Sequence, residues 1–444
     1  MKAKLLTCII FQCFFTYAQQ NDSIQRQILK DELKKEIIKE LKEDKKRLLS
    51  WDNFTLSGYG AINYYNYGKY DTDPNIKNKF DAERLNLYLG YHFNDWISLK
   101  TEIEFEHGGT GSTIELDTQE EFGEYEKEIE SGGEVKLEQI YIDFKIRPYF
   151  NVRAGRMKLH FNLAQNLDRP TNYFTAHRQE MENEMLPLGW YENGIQFYGN
   201  FLKDRLRYEL SITNGLDATG FSSRNWVKRG YQTRFEMAVG NSLAFTARLD
   251  YKFGKNKNTF AGVAAYVNDA AANRPKKDMD VSAYVTIFEG HVSYDENYLK
   301  FSSVFLYGNI ENSNIVSRKN ANLSNNLGVK RTPVGKSMIG FSGDIGYEVL
   351  HLFNFKTSQQ LYPFMRYEYY DTMYKTEGAV VRKPRWERSV ITGGINWFVH
   401  PQVVVKAHYS SRRLGSDHYD PITSLNTGEK QRENTFTAGI GFTF

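Results

Sequence analysis

The chain has 444 residues, 41% of them hydrophobic and 25% charged, with 30 Tyr, 30 Phe and a formal net charge of +3. So slight a charge excludes a nucleic-acid binder held by bulk electrostatics, and a mean hydropathy of −0.58 excludes a bundle of membrane-crossing helices. The length is large for one soluble domain, yet no shift in composition divides the chain convincingly in two.

The first residues read as a secretory signal, residues 1–18. Lys2 and Lys4 form its positive end, Leu5 to Thr16 its short apolar core, and Thr16-Tyr17-Ala18 a cleavage site before Gln19. The apolar run is too short for an anchor helix. Both cysteines, Cys8 and Cys13, fall inside it, so the mature chain is expected to have neither a disulfide framework nor a thiol metal site. An exported chain with no second hydrophobic helix is periplasmic, secreted or a β-barrel. Aromatic girdles around a polar interior account for 15% aromatic residues in so polar a sequence, which favours the barrel.

Residues 19–50 form the next unit. The run LKDELKKEIIKELKEDKKRLL, with no Gly or Pro, predicts a helix on which Leu29, Leu33, Ile37 and Leu41 make one narrow stripe. Two readings compete: a short coiled coil between subunits, or a solvated helix held by i, i+4 ion pairs. The missing heptad favours the second. Its polar surface predicts a place in the periplasm, outside lipid.

From Trp51 the period changes to two. Leu85, Leu87, Leu89 and Tyr91 alternate with Arg84, Asn86, Tyr88 and Gly90; Leu206, Tyr208, Leu210 and Ile212 alternate with Arg207, Glu209, Ser211 and Thr213. Such runs reach about ten residues or more, the length of a tilted membrane-crossing strand. Tight turns (Asn94-Asp95, Arg147-Pro148, Lys203-Asp204, Gly240-Asn241, Asp295-Glu296-Asn297, His400-Pro401) alternate with long charged segments (108–133, 162–189, 215–228, 311–336, 414–432). Residues 51–444 are therefore expected to form an all-β fold, a transmembrane antiparallel barrel. About seventeen runs qualify as strands, but chain ends on one side of the membrane require an even number. Residues 243–253 alternate cleanly and 259–267 do not, so one of the two is expected not to be a full crossing, leaving sixteen. Sixteen strands can enclose an aqueous channel. Phe436, Ala438, Ile440, Phe442 and Phe444 end the chain on one apolar face, the form of terminal strand that barrel assembly machinery reads, with Phe444 as the signal.

No HExxH, GxSxG or P-loop occurs. His177 and Glu180 lack a third ligand, and His92 and His408 read as polar lumen groups. No enzyme activity, metal or cofactor is expected. The pattern places Arg84, Lys100, Lys145, Arg207, Arg234, Arg248, Arg366 and Lys406 inside, with Glu102, Glu104, Glu106, Asp143, Glu209, Glu236, Asp250 and Glu368. These can set up a field across the lumen or simply pair between strands. The acidic loop 110–134 reads as solvated or as a collector of divalent cations near lipopolysaccharide. Arg382, Lys383, Arg385 and Arg388 are its basic counterpart.

In residues 138–199 the alternation slips. Val152 and Ala154 alternate with Arg153, whereas Arg156, Lys158 and His160 fall out of phase. Cations facing hydrocarbon would cost several kcal/mol, so a β-bulge at Gly155 is expected to turn them inward and leave Met157 and Leu159 on lipid. The run IDFKIRPYFNVRAGRMKLHF, the loop RPTNYFTAHR and the strand GIQFYG resemble the phosphate-selective porin family of the porin O and P type.

That resemblance implies a homotrimer of sixteen-strand channels, a loop folded inside (here 162–189) and basic side chains along an anion path. Arg153, Arg156 and Lys158 would face Arg169 and Arg178 of the loop at the narrowest point, where low-dielectric walls focus the field. Glu180, Glu182 and Glu184 of the same loop would oppose them. The chain departs from the family at Lys158-Leu159-His160-Phe161-Asn162, where K-x-P-F-G is usual, and at Glu192, where an Arg is usual. The implied function is an outer-membrane porin for passive diffusion of small hydrophilic solutes, including anions such as phosphate. The alternative is a weakly selective, or non-conducting structural or adhesive, barrel. Lipid and lipopolysaccharide are the expected surroundings.

Overall fold

The computed structural model describes residues 33–35, 51–109, 133–161, 163, 168–187, 189–232, 238–256, 258–323, 331–353, 357–416, 428 and 430–444. The chain divides into two compact units, Met1–Phe54 and Thr55–Phe444. In the first, Leu33–Lys35 are helical and Trp51–Asn53 form a 3-10 turn. The signal 1–18 and the rest of the expected helix lie outside the described residues, as does most of the acidic loop.

Sixteen strands follow: β1 Phe54–Tyr70, β2 Lys79–His92, β3 Ile97–Glu106, β4 Glu134–Arg147, β5 Phe150–Lys158, β6 Tyr191–Phe201, β7 Leu206–Asn214 and β8 Leu243–Lys252. Then come β9 Phe260–Asp269, β10 Tyr284–Glu296, β11 Leu299–Ile310, β12 Ser337–Tyr347, β13 Gln360–Lys375, β14 Glu387–His400, β15 Val403–Leu414 and β16 Gln431–Thr443. Each neighbours the next in sequence, and β1 pairs antiparallel with β16 to close the barrel. Closure satisfies every edge, the condition for strands to cross hydrocarbon. At the seam Gly58 N–H donates to Phe444 O at 3.0 Å and Phe444 N–H to Gly58 O at 2.9 Å.

Connections alternate between the rims. Those after β2, β4, β6, β10 and β14 are tight, and those after β3, β5, β7, β11 and β15 are long. The outer face is apolar: Leu210 and Ile440 are exposed on it as expected, with Phe245, Val263, Phe288, Phe341 and Ile391.

The count of sixteen stands, but the reason given for it does not. Both β8 and β9 are complete strands, paired from Phe245↔Val267 to Lys252↔Phe260. β7 pairs directly with β8, from Asn214↔Leu243 to Leu206↔Tyr251. Among the described residues of 215–242 no barrel strand intervenes, so Gly240-Asn241 does not join two barrel strands. Arg234 and Glu236 lie outside the described residues.

The weak alternation of β9 has a physical cause. Its inner residues Ala264 and Tyr266 face no water. They join one apolar cluster with Val285, Ile287, Val304 and Leu306 of β10 and β11 and with Phe161, Trp190, Leu216, Phe221 and Trp226 of the long connections. Trp190 lies 4.7 Å from Tyr266 between ring centroids, and Phe161 sits edge-on to both. Trp226 Nε1–H donates to Gly335 O at 3.1 Å. The indole fits only because Gly308 on β11 has no side chain; a Cβ there would run into the Trp226 ring.

Candidate functional site

The lumen is crossed by residues 168–187, here called the strap, which contain the short helix α1, Glu180–Met185. The strap leaves β5 and is held against the opposite wall. Phe174 stacks on Phe364 of β13 at 5.0 Å and 8° between planes, in a buried cluster with Tyr362, Phe398 and Val404. Lys406 Nζ donates to Tyr173 O at 2.6 Å and Thr175 O at 2.7 Å. Arg366 donates to Thr175 Oγ1 at 2.6 Å, and Ala176 N–H donates to His408 Nε2 at 3.0 Å. These wall residues use their inward positions to satisfy strap backbone that would otherwise be buried unpaired. Residues 173–176, within the segment 162–189, therefore rest against side chains of β13 and β15.

At the strap's origin no bulge forms at Gly155. The β5–β6 ladder runs without interruption from Asn151↔Tyr198 to Lys158↔Tyr191, and the β4–β5 ladder passes Gly155 in register. Gly155 instead has φ 136°, a conformation that disfavours any side chain. The β4 ladder stops at Ile140↔Arg156 while the β6 ladder continues, and Leu159 N–H donates to Trp190 O at 2.8 Å. The end of the β5–β6 hairpin has thus parted from β4, and both its faces are covered. Arg156, Met157, Lys158 and Leu159 are all buried. Met157 and Leu159 are not on lipid, and Leu159 belongs to the interior apolar cluster.

The five predicted cations do not form one patch. Arg153 lies over the Tyr198 ring at 4.0 Å, donates to Gln196 at 2.6 Å and pairs with Asp143 at 3.8 Å. Arg156 donates to Glu138 O at 3.1 Å and to Tyr231 Oη at 2.5 Å. Lys158 and Arg178 meet through Asp168: Lys158 Nζ donates to one carboxylate oxygen and Arg178 to the other, at 2.6 Å. Arg169 is exposed and opens on a different cavity. Of the five, only Lys158 and Arg178 are brought together, and Asp168 bridges them.

The acidic residues of the strap do not oppose this group either. Glu180 accepts from Arg412 of β15 at 2.7 Å and from Tyr370 Oη–H, and its backbone N–H donates to Glu368 at 3.0 Å. Glu184 lies 3.6 Å from Arg388 of β14 and accepts from Asn225 at 3.3 Å. Burial works against the charge of Glu184, but Lys228, then Arg224, Arg388 and Arg412, outweigh it and hold its pKa down at about 2. Glu182 is buried. Arg412 and its second partner Glu433 were missed in the sequence, although the signal was there: Lys406, His408, Ser410 and Arg412 share one parity on β15.

Most expected lumen charges are inside and paired. Glu102 accepts from Asn86 at 2.9 Å and Gln139 at 2.7 Å; Arg366 pairs with Asp344; His160 lies 2.8 Å from Glu209; Arg248 donates to Asp250 at 3.0 Å, which also touches His291. Lys145 is exposed beside the tight turn after β4. Among the described residues no group of three or more His, Cys, Asp or Glu is arranged to hold a metal ion.

Among the described residues, cavities open on both sides of the strap. A cavity of about 710 Å³ lies toward the tight-turn rim and is lined by Arg169, Arg205, Arg207, Arg248, Lys252 and Lys300 against Asp204, Asp250, Asp295 and Asp344. Two smaller ones, of about 70 and 170 Å³, lie on the other side, and Arg178 lines both.

No family model matches the chain. A protein of Aquifex aeolicus described only as uncharacterized is 28% identical over 359 residues, 80% of this chain and 74% of that one. An anion-selective porin from Comamonas acidovorans superposes with a TM-score of 0.51 at 10% identity, over 88% of this chain and 99% of that one. Salmonella typhi OmpF in complex with daunomycin gives a TM-score of 0.50 at 11% identity, over 88% and 97%. These likenesses concern the fold, which is that of a porin-like outer-membrane barrel.

Proposed function

We propose that this porin-like outer-membrane barrel is a channel, not an enzyme, through which small hydrophilic solutes diffuse passively with a modest preference for anions such as phosphate. The observation that carries the reading is the strap: it narrows the lumen and leaves polar cavities on both of its sides. The preference is argued from the larger cavity, where six basic side chains face four acidic ones. Fixed charge in a low-dielectric passage is felt by every ion that enters. Lys158 and Arg178 add less than two free cations would, because they share Asp168. Export by the signal 1–18, a periplasmic helix 19–50, recognition of Phe444 by assembly machinery and a homotrimer embedded among lipid and lipopolysaccharide complete the proposal.

The apolar packing inside β8–β12 favours a second reading, a structural or adhesive barrel that does not conduct. Planar bilayers separate the two. The refolded protein is expected to conduct, with a reversal potential of anion-selective sign across a salt gradient. Arg169→Glu is expected to move that potential toward cations. Correctly folded barrels that pass no current would leave the second reading standing.

A further inference from the structure

The opening of about 170 Å³ has chemistry that ion passage does not require. Arg178, Arg366 and Arg412 line it with Glu180, Glu368 and Glu433, three cations against three carboxylates. Several of these are already committed to one another or to neighbours. Arg412 donates to Glu180 at 2.7 Å and also to Glu433, Arg178 donates to Asp168 at 2.6 Å, and Arg366 holds Asp344. Within the lining the three Arg match the three Glu, and Asp168 and Asp344 engage Arg178 and Arg366 from outside it, so these groups present no excess of positive charge to an ion. A neutral solute with many hydroxyls meets forked donors and acceptors already fixed in place.

Facing these pairs is a row of rings. Tyr65 and Tyr67, on one parity of β1, are stacked 6.3 Å apart with 18° between planes. Tyr70 stands edge-on to Tyr67 at 5.4 Å, and His177 of the strap lies 6.3 Å from Tyr65. All three tyrosines line the cavity and are half-buried, so part of each ring remains open. Hydroxyls of Thr392, Ser410 and Thr435 line it as well. A pyranose ring offers the matching surfaces: a C–H face that packs on an aromatic ring, and a rim of hydroxyls for charged and hydroxyl partners.

We propose that this cavity is a subsite for a neutral sugar, with Tyr65 and Tyr67 as the stacking platform and the Arg412, Glu180 and Glu433 group as the hydroxyl partner. The inference rests on the lumen being a passage, as proposed above. It takes the cargo beyond small ions, because this part of the path selects by shape and stacking and not by net charge.

The test uses the full refolded chain in planar bilayers, with glucose and maltose as probes. Each sugar is expected to reduce the ion current reversibly and saturably. Tyr65→Ala with Tyr67→Ala is expected to raise the half-blocking concentration about tenfold, while the matching Phe pair stays close to wild type. Heat-modifiable mobility in gels confirms that each variant is a folded barrel. A current that neither sugar reduces overturns the subsite and leaves the passage reading intact, as does a block unchanged in the Ala pair. Equal loss in the Phe pair overturns the stacking platform. Relief of the block by inorganic phosphate at the sugar's own concentration overturns the neutral ligand. If no folded protein conducts, the passage reading fails, and calorimetry with maltose on the detergent-solubilised chain decides the subsite: heat that vanishes in the Ala pair sustains it, and no heat in wild type overturns it.

Discussion

Strands β10 and β15 cross the same barrel with opposite inner faces near the long-loop rim. On β10 the inner residues there are Val285 and Ile287, fully buried under the long connections, and only farther down do Glu289 and His291 follow. On β15 the inner face stays polar through Lys406, His408, Ser410 and Arg412, up to the rim. The outer faces, Phe288 on one strand and Tyr409 on the other, are alike because lipid is the same all round. The inner face of a barrel strand therefore reports what fills the lumen beside it. Where loops pack, it takes the composition of a soluble core; where the strap and open cavities lie, it keeps paired charges.

Trp226→Ala tests the apolar side most severely. Large-to-small changes in a closed core cost about 3–5 kcal/mol, and here the loss falls on the loop packing, since the strand ladder keeps its hydrogen bonds. We expect faster proteolysis within 215–232 and a larger single-channel conductance from a barrel of normal gel mobility. Unchanged conductance would mean that the apolar fill does not restrict the path.

Arg412→Ala tests the polar side. Removing one partner of a buried ion pair costs about 3–5 kcal/mol, but the Arg412 side chain keeps 27% of its exposure, so about 1–3 kcal/mol is expected for release of the strap. A double-mutant cycle with Glu180→Gln measures it, and additive effects would show that the pair does not anchor α1.

The smallest effect is a pH dependence. Glu184 has its pKa depressed to about 2 from an ordinary 4.5, so its contribution is complete above about 4.5 and is lost as the pH falls through about 2. Below pH 4 the strap is expected to become progressively more accessible to an acid-stable protease. Glu184→Gln is expected to show that accessibility already at neutral pH and to lose the dependence.

Much of the barrel is legible from alternation alone, including the outer faces of β2, β7 and β16 and the inward position of Glu102, Asp143, Arg248, Arg366 and Lys406. Two of the differences share one origin. β9 lacked alternation because Ala264 and Tyr266 face packed loops, and Met157 and Leu159 are apolar because the β5–β6 hairpin end turns inward, away from lipid. In each case an apolar residue was read as facing lipid, or as the absence of a strand, when it faced an interior core. Glu180, Glu182 and Glu184 are expected to oppose the cations because they share a loop with Arg169 and Arg178, but the basic partners of Glu180 and Glu184 include Arg412 of β15 and Arg388 of β14.

By itself the sequence determined an all-β barrel of membrane-length strands with an apolar outer face and a polar inner one, and an even strand number. The two faces follow from the pleat, whose period of two acts within a few residues and needs no knowledge of neighbours. Tertiary structure alone decided which inner faces are wet, which cations are already neutralised and where the strap is tied. The Glu180–Arg412 pair joins residues 232 apart in the chain. Charges pair according to which walls face one another across the lumen, and that is set by closure of the whole sheet and not by any local run of residues.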